Sequence, residues 1–214
     1  MKVYGIYLAA GKSSRMGSQK LELELSEGVP LGGQALHVLL DSELSNIAVI
    51  IRPGEVPGWF RSLQQLARPE KFAACRVVVC AHADNGMSYS IRSGINAARS
   101  SRNGFDAIAI ALADQPFITA EMVRRLLSVL EQDPQLDYAA SACDGVPMPP
   151  AVFRASMAPA LMSLEGDAGA RKLFAQPHWK GSFVEFIGEE QKRLIDVDDA
   201  QGLADAIEMF KSIF

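Results

Sequence analysis

Near its amino terminus the chain reads Tyr7-Leu8-Ala9-Ala10-Gly11-Lys12-Ser13-Ser14-Arg15-Met16-Gly17-Ser18-Gln19-Lys20. An apolar run from Val3 to Ala9 leads into this stretch. The length of the run and its Val, Ile and Tyr content predict a buried β-strand. Small, polar and basic residues then replace the apolar ones, which predicts a loop. We therefore expect this loop to begin where a buried strand ends.

The loop combines three cations with two glycines at short spacing. Lys12, Arg15 and Lys20 lie within nine residues of one another. Gly11 and Gly17 can adopt the positive φ angles that turn backbone N–H groups toward a ligand. A loop of N–H donors and cations suits a polyphosphate. The alternative is a solvated basic turn after an edge strand, and the fixed offsets of small residues, cations and glycines disfavour it.

Two better-known phosphate-binding patterns do not occur here. The Walker A pattern places four residues between its first glycine and Gly-Lys-Ser. Five residues separate Gly5 from Gly11, and Gly5 lies inside the predicted strand. The dinucleotide-binding pattern G-x-G-x-x-G is missing from the sequence. The loop therefore belongs to neither of these classes.

Length and composition fit one α/β domain. The chain has 214 residues, of which 49% are apolar and 21% charged, and its formal net charge is −4. An acidic protein has no broad basic field for nucleic acid, so we expect no nucleic-acid partner. The basic loop is then a local feature that suits a small anionic substrate. No apolar run is long enough to cross a bilayer, so we expect no membrane partner.

Cysteine and histidine usage argues against a zinc site or a histidine-built metal site. Cys75, Cys80 and Cys143 lack zinc-ligand spacing. The three histidines are scattered along the chain. Free cysteines beside an apolar run behave as small core residues. This usage suggests a reducing compartment, and we expect a cytoplasmic protein.

Predicted strands and helices alternate along the first part of the chain. Buried strands are predicted at 3–9, 47–51, 76–81 and 106–112, and helices at 33–43, 56–67, from Ser88 as N-cap, and from Thr119 as N-cap. This order with short loops is typical of a mostly parallel, doubly wound sheet. Ligands of such sheets lie beyond the carboxyl ends of the strands. The basic loop, Ser88 and Asp114 all follow predicted strands, so we expect them at one edge of the sheet.

The remaining segments are less regular. Residues 21–25 alternate apolar and acidic, which predicts an extended segment with one solvated face. Strands are predicted at 137–142, 151–153 and 182–187, helices at 158–164 and from the 165–171 segment to Phe174, and a final helix with Leu203, Ile207 and Phe210 on one face. A Gly- and Pro-rich loop is predicted at 144–150. No repeat or linker interrupts the sequence, so we predict a single domain over 1–214.

Five blocks of sequence resemble the MobA-like nucleotidyltransferases, especially the molybdenum cofactor cytidylyltransferase branch that includes accessory proteins of purine catabolism. The blocks are Leu8–Gly17 with Lys20, Gly86–Ile91, Leu112–Phe117, Gly166–Arg171 and Asp196–Asp198. The first and third occur across many nucleotidyltransferases, whereas Gly-Asp-x-Gly-Ala-Arg at 166–171 indicates the cofactor branch. The resemblance implies a Rossmann-like three-layer α/β/α fold whose less regular C-terminal half binds the acceptor.

The same resemblance implies roles for individual residues. Arg15, Lys20 and Asp114 would be the catalytic residues, with Arg15 and Lys20 on the triphosphate oxygens. Asp114 and Asp198 would bind Mg²⁺. The other nucleotide contacts that the resemblance implies are Leu8, Ala9, Ala10, Gly11, Lys12, Ser13, Ser14, Ser88 and Ser90. Guanosine-using members tend to have glycine where this chain has Ala10, which favours CTP.

Two assignments stay open at this point. Asp196 and Asp199 are alternatives to Asp198 as a metal ligand, and Asp199 is also a plausible helix N-cap. Asp167 and Arg171 are candidate acceptor-binding residues. Since they lie four residues apart in a predicted helix, they could instead pair with each other.

The resemblance implies transfer of CMP from CTP to the phosphate of molybdenum cofactor, with release of pyrophosphate, in the service of a molybdenum hydroxylase such as xanthine dehydrogenase. An acceptor phosphate has a second pKa of about 6, so it is largely dianionic at pH 7 and needs no general base. Two alternatives remain: transfer to a sugar or polyol phosphate, and a non-catalytic cofactor chaperone. Pro149-Pro150-Ala151 stands where the family usually has Gly-Asn-Pro, and this departure favours the chaperone alternative.

Overall fold

The computed structural model describes residues 1–12, 19–54, 56–167 and 169–214. Its strands are β1 (Val3–Leu8), β2 (Glu24–Ser26), β3 (Val29–Pro30), β4 (Leu44–Ile51), β5 (Cys75–Val79), β6 (Ala107–Leu112), β7 (Tyr138–Cys143), β8 (Val146–Arg154) and β9 (Gly181–Glu185). Its helices are α1 (Leu31–Leu40), α2 (Gly58–Leu66), α3 (Pro69–Phe72), α4 (Met87–Arg99), α5 (Ala120–Gln132), α6 (Ala158–Met162), α7 (Arg171–Phe174) and α8 (Ala200–Ile213).

Within these described residues, a sheet of seven strands has the order β5-β4-β1-β6-β8-β7-β9. β1 is parallel to both β4 and β6, and β4 is parallel to β5. β8 runs antiparallel to β6 and β7, whereas β9 is again parallel to β7. The prediction of a mostly parallel α/β sheet is confirmed.

Helices cover both faces of the sheet because its central strands are apolar on both sides. All six residues of β1 are buried. Tyr7 faces a core that includes Trp59 and Leu126 from α2 and α5. Ile6 faces the opposite core, which includes Ile95 and Leu161 from α4 and α6. The result is the three-layer arrangement expected from the resemblance.

The order of the strands places a switch point beside β1. From β1 the chain proceeds through β4 to β5 on one side and then crosses to β6 on the other. Loops that leave the carboxyl ends of β1 and β6 therefore diverge and leave a crevice between them. The crevice lies where the sequence predicted the ligand-binding edge.

The predicted loop at 144–150 is wrong, because Val146 begins strand β8. Pro147 and Met148 pair with β7, but β8 pairs with β6 only from Ala151 to Arg154. The first half of β8 is therefore an edge, where prolines are tolerated because no second ladder requires their missing N–H groups.

The predicted extended segment at 21–25 is only partly right. Lys20–Glu22 form a 3-10 turn, and only Glu24–Ser26 are a strand. The Glu22 carboxylate accepts hydrogen bonds from the N–H groups of Gly58 (2.8 Å) and Trp59 (2.9 Å) at the start of α2. A distant carboxylate thus caps a helix whose own N-cap residue, Pro57, makes no side-chain cap.

Among the residues described, no helix combines the length and apolar character needed to span a membrane.

Candidate active site

The loops after β1 and β6 line a cavity of about 360 Å³. Backbone hydrogen bonds extend the sheet just past the strands, from the Ala9 N–H to the Ile50 carbonyl (2.9 Å) and from the Ala113 N–H to the Leu8 carbonyl (3.0 Å). The predicted site residues that line the cavity are Leu8, Ala9, Ala10, Gly11, Lys12, Lys20, Ser90, Asp114 and Asp167. The structure therefore brings together most of the residues proposed from sequence.

Lys20 lies at the centre of a cluster of oxygen atoms. Its Nζ is 2.7 Å from Asp114 Oδ2, 3.1 Å from Asp198 Oδ1 and 2.9 Å from the Val197 carbonyl. The Lys20 side chain is only 9% exposed, whereas that of Asp198 is 51% exposed. A buried ammonium requires such partners because its desolvation is costly.

The charge of Lys20 is maintained by its acidic neighbours. Burial alone would lower the pKa of this ammonium, but the charge of Asp114 and hydrogen bonds to Asp114 and Asp198 raise it above its ordinary value. Lys20 is therefore a fixed positive charge beside the cavity at physiological pH.

Contacts with the loop after β6 hold the segment that carries Asp198. The Val197 N–H donates to the Asp114 carbonyl (2.9 Å), and Gln115 Nε2 donates to the Leu194 carbonyl (3.3 Å). The Gln115 side chain is fully buried. This segment and the loop after β6 thus form one connected wall of the site.

The three neighbouring aspartates have different environments. Asp199 caps α8, since its Oδ1 accepts a hydrogen bond from the Gly202 N–H at 2.8 Å. Burial, reinforced by the charges of Asp114 and Asp198, raises the pKa of Asp196 to about 6. Asp198 directly contacts the Lys20 ammonium. The N-cap alternative for Asp199 is confirmed, and Asp196 and Asp198 remain as carboxylates close to Asp114.

Lys12 lies at the mouth of the cavity in an ion-pair network that sequence reasoning missed. Its Nζ is 3.4 Å from Asp84 Oδ1, and Arg52 pairs with the same carboxylate. A hydrogen bond from Arg52 is the main reason that the pKa of Asp84 is lowered. Arg52 also donates to the Ala10 carbonyl at 3.4 Å. Arg52 could have been predicted to lie near the site, because it directly follows β4 and the loops after parallel strands lie at the same edge of the sheet.

Ser88 and Ser90 occupy different positions, although both lie in the first turns of α4. Ser90 lines the cavity. Ser88 is fully buried, and its hydroxyl has no hydrogen-bond partner among the described residues. The prediction that Ser88 is the N-cap is wrong, because Gly86 occupies that position with φ +115°. Such a φ angle favours glycine.

Part of the predicted phosphate loop lies outside the described residues. Ser13, Ser14 and Arg15 lie outside the described residues, as does Gly17. Their proposed contacts with a triphosphate stay predictions.

A second cavity of about 280 Å³ adjoins the first, and Leu8, Met87, Leu112 and Asp167 line both. Its other lining residues are mostly apolar and are Ile91, Ile110, Val146, Pro147, Met148, Pro149, Ala151, Phe153, Gly169, Ala170, Arg171, Phe174 and Asp196. The two cavities thus meet at the ends of β1 and β6.

The structure does not support the alternative in which Asp167 and Arg171 pair along one helix. Helix α7 begins at Arg171, so Asp167 precedes it. No ion pair joins the two side chains in the described part of the chain. Both side chains instead line the second cavity. Their role as acceptor-binding residues stays a prediction.

Metal-binding potential is limited to a small set of oxygen atoms. Within residues 1–12, 19–54, 56–167 and 169–214, no group of three or more His, Cys, Asp or Glu side chains is arranged to hold a metal ion. Asp114, Asp198 and the Val197 carbonyl do surround one cation, the Lys20 ammonium. One or two carboxylates are the usual protein contribution where substrate phosphates complete the coordination of Mg²⁺.

Residues 5–181 match the model of the MobA-like NTP transferase domain. The chain belongs to the MobA-like NTP transferase family. It is similar to the purine catabolism protein PucB of Bacillus subtilis, with 34% identity over 173 residues that cover 79% of this chain and 78% of PucB. The chain is therefore a nucleotidyltransferase by family, with a nucleotide and a phosphate compound as its classes of substrate.

Similar solved structures confirm the fold. The Mycobacterium tuberculosis protein Rv0371c, solved in complex with manganese, has a TM-score of 0.73 at 20% identity and covers 97% of this chain and 99% of its own. The Archaeoglobus fulgidus molybdopterin-guanine dinucleotide biosynthesis protein A has a TM-score of 0.67 at 17% identity, with coverage of 98% and 100%. At these identities the likeness establishes the architecture alone.

Proposed function

We propose that the protein transfers CMP from CTP to the phosphate of molybdenum cofactor, with release of pyrophosphate and with Mg²⁺ as cofactor. A molybdenum hydroxylase would receive the product in the cytoplasm. The name of a similar protein, a purine catabolism protein, supports the link to such a hydroxylase.

One observation carries the proposal: two cavities of different chemistry share a wall at the ends of β1 and β6. The cavity of about 360 Å³ has Lys12 and Lys20 on its lining, as a triphosphate requires. The cavity of about 280 Å³ is mostly apolar. An acceptor bound in the second cavity could thus present its phosphate to a nucleotide bound in the first.

Asp114 and Asp198 fit the metal because their oxygens already surround a cation. In this proposal they would hold Mg²⁺, and the ion would supply charge stabilisation for the phosphates during the transfer. Lys12 and Lys20 contribute further positive charge on the phosphate side. Since the acceptor phosphate is already largely ionised at pH 7, no side chain has to remove a proton from it.

The lining of the second cavity favours a flat heterocycle over a sugar or polyol. Pro147, Met148 and Phe174 offer few hydrogen-bonding groups for a polyhydroxylated acceptor. Buried hydroxyl groups without partners would weaken binding of such a molecule. Asp167 and Arg171 provide polar contacts on the same lining, and Arg171 suits an anionic group.

Ala10 supports CTP as the donor. Ala10 lines the cavity proposed for the nucleotide. The family pattern, in which guanosine-using members tend to have glycine here, agrees with this assignment.

Pyrophosphate release tests the proposal. Purified protein with Mg²⁺ and molybdenum cofactor should release pyrophosphate with CTP and at least about tenfold less with GTP, ATP or UTP, which corresponds to roughly 1.4 kcal/mol of discrimination. Matched reactions would replace the cofactor by a hexose phosphate or glycerol phosphate. Release with those acceptors alone would support the sugar or polyol alternative. Tight binding of molybdenum cofactor without release in any reaction would support the chaperone alternative.

A further inference from the structure

The position expected for the metal already contains a positive charge. Lys20 Nζ contacts Asp114 Oδ2 (2.7 Å), Asp198 Oδ1 (3.1 Å) and the Val197 carbonyl (2.9 Å). A magnesium ion takes oxygen ligands at about 2.1 Å. An ion that bound both carboxylates would therefore lie within a few ångströms of the ammonium, where two positive charges repel strongly.

We propose that Lys20 occupies the metal position in the nucleotide-free protein, so that a divalent cation is bound tightly only together with the phosphates of a nucleotide. Lys20 is thus a positioning residue that holds Asp114 and Asp198 together until the phosphates arrive. It then releases the carboxylates and turns its ammonium toward the phosphate oxygens.

The charges at the cluster support this order of events. A divalent cation that bound Asp114 and Asp198 would lie beside the ammonium in a site where Lys20 is 9% exposed and Asp114 24% exposed. Water screens the repulsion between two positive charges poorly in such a place. The negative charges of a polyphosphate offset this repulsion, so the lysine and the metal can then both remain in the site.

The local structure makes a movement of the ammonium feasible. Lys20 is the first residue of the 3-10 turn Lys20–Glu22, whereas Asp114 lies two residues after the end of β6 at Leu112. A flexible four-carbon side chain allows the ammonium to change partners while the backbone stays in place. Asp114 is the fixed partner, because its backbone carbonyl is held by the Val197 N–H at 2.9 Å.

The inference rests on the proposed function in one respect, the use of Asp114 and Asp198 as metal ligands. It does not depend on which nucleotide or acceptor is used. Failure to release pyrophosphate with CTP would overturn the donor assignment and leave the metal-binding experiment valid.

Titration of Mn²⁺ into the full-length, nucleotide-free protein, followed by electron paramagnetic resonance, tests the inference. The wild type should bind Mn²⁺ weakly, and Lys20→Met should bind it at least about tenfold more tightly because the competing charge is gone. Lys71→Met is the control: it removes a lysine that lies outside both cavities, 3.9 Å from Asp41, so its Mn²⁺ affinity should equal that of the wild type. Adding Asp114→Asn to Lys20→Met should abolish the gain.

Two results would overturn the inference. One is tight Mn²⁺ binding by the nucleotide-free wild type, which requires no variant. The other is a Lys20→Met affinity no higher than that of the wild type. Lys20→Gln serves the same purpose if the methionine variant is poorly folded, and thermal denaturation with and without Mn²⁺ should show a larger metal-dependent rise in Tm for the variant than for the wild type.

Discussion

Lys20 shows how much of the site is built from residues that are distant in sequence. Its side-chain partners Asp114 and Asp198 lie 94 and 178 positions further along the chain. Each residue type could be predicted as functional from its own block, since a loop of cations and an aspartate after a strand both suit a phosphate-and-metal site. Their mutual contact could not be predicted, because it depends on how the 194–199 segment returns to the ends of β1 and β6.

Asp114 is the residue whose removal should affect turnover most. We expect Asp114→Asn to lower kcat at least about a hundredfold, because the uncharged amide binds a metal ion more weakly than a carboxylate and cannot balance the Lys20 ammonium. The measurement is steady-state pyrophosphate release with saturating nucleotide and acceptor, together with circular dichroism to establish that the fold is intact.

Asp106→Asn is the matched control for this substitution. Asp106 precedes the opposite end of β6, and its Oδ2 accepts a hydrogen bond from the Lys2 N–H at 2.7 Å. An asparagine keeps a carbonyl oxygen that can accept the same bond. The control should retain wild-type turnover. If Asp114→Asn turned over as fast as the control, Asp114 would not be a metal ligand.

At the scale of elements, the start of α4 is one point where the first half of the chain contacts the C-terminal half closely. The Ser88 N–H donates to the Gly166 carbonyl at 3.1 Å. A Cβ atom built on Gly86 would lie 2.3 Å from the Gly166 carbonyl carbon and 2.6 Å from the Asp167 nitrogen. Two loops that border both cavities are therefore held in contact by a residue without a side chain.

Gly86→Ala should disrupt this contact. We expect a lower Tm and at least about a tenfold weaker binding of nucleotide, because the methyl group must push the 166–167 loop away and φ +115° is also unfavourable for alanine. Differential scanning calorimetry and a nucleotide titration by calorimetry measure the two effects.

Gly104→Ala separates the cost of a positive φ angle from the cost of a clash with residues 166–167. Gly104 also has a positive φ, +60°, but a Cβ there would meet nothing within 4 Å. This variant should show only the backbone cost of about 1–2 kcal/mol in the free energy of unfolding and normal nucleotide binding. Equal losses of nucleotide binding in the two variants would contradict the argument from close approach.

Elements were predictable where local sequence determines them. The apolar runs that form β1, β4 and β6 could be predicted without knowledge of the fold. The same holds for the N-cap at Thr119, whose hydroxyl accepts a hydrogen bond from the Met122 N–H at 3.2 Å. The turn at Lys20–Glu22 was not predictable in this way. Its geometry depends on Lys20 reaching Asp114 and on Glu22 capping α2, and both are contacts between segments.

At the scale of the whole molecule, one sheet joins two halves of different character. β5-β4-β1-β6 form a parallel half, and β8 joins it to β7 and β9 through antiparallel pairing. The two cores on the faces of the sheet contain residues from both halves, such as Val152 in one and Phe153 in the other. The single domain predicted from sequence stays a prediction, and this shared sheet favours it.

Cooperative unfolding tests whether the chain is one domain. The two tryptophans report on different halves: Trp59 is buried in α2, and Trp179 packs against the opposite core beside β9. Trp59→Phe and Trp179→Phe each leave one reporter. In each variant, we expect tryptophan fluorescence and far-ultraviolet circular dichroism to give the same urea midpoint, because a shared sheet couples the halves.

Different midpoints for the two probes in either variant would indicate separate unfolding units. Comparison within each variant avoids the complication that Trp59→Phe itself lowers stability by leaving space in the core.

The hydrogen bond between Lys20 and the Val197 carbonyl closes the chain nearly end to end, across 177 positions. The match to the family model stops at residue 181, before Asp198 and before the aspartate that caps α8. Any shortened version designed from the family boundary would keep Lys20 and Asp114 but lose two of the three oxygen partners of the ammonium described above, the Val197 carbonyl and Asp198. For this protein, the segment from Leu194 to Asp199 belongs to the candidate site, and its integrity should be guarded when boundaries or tags are chosen.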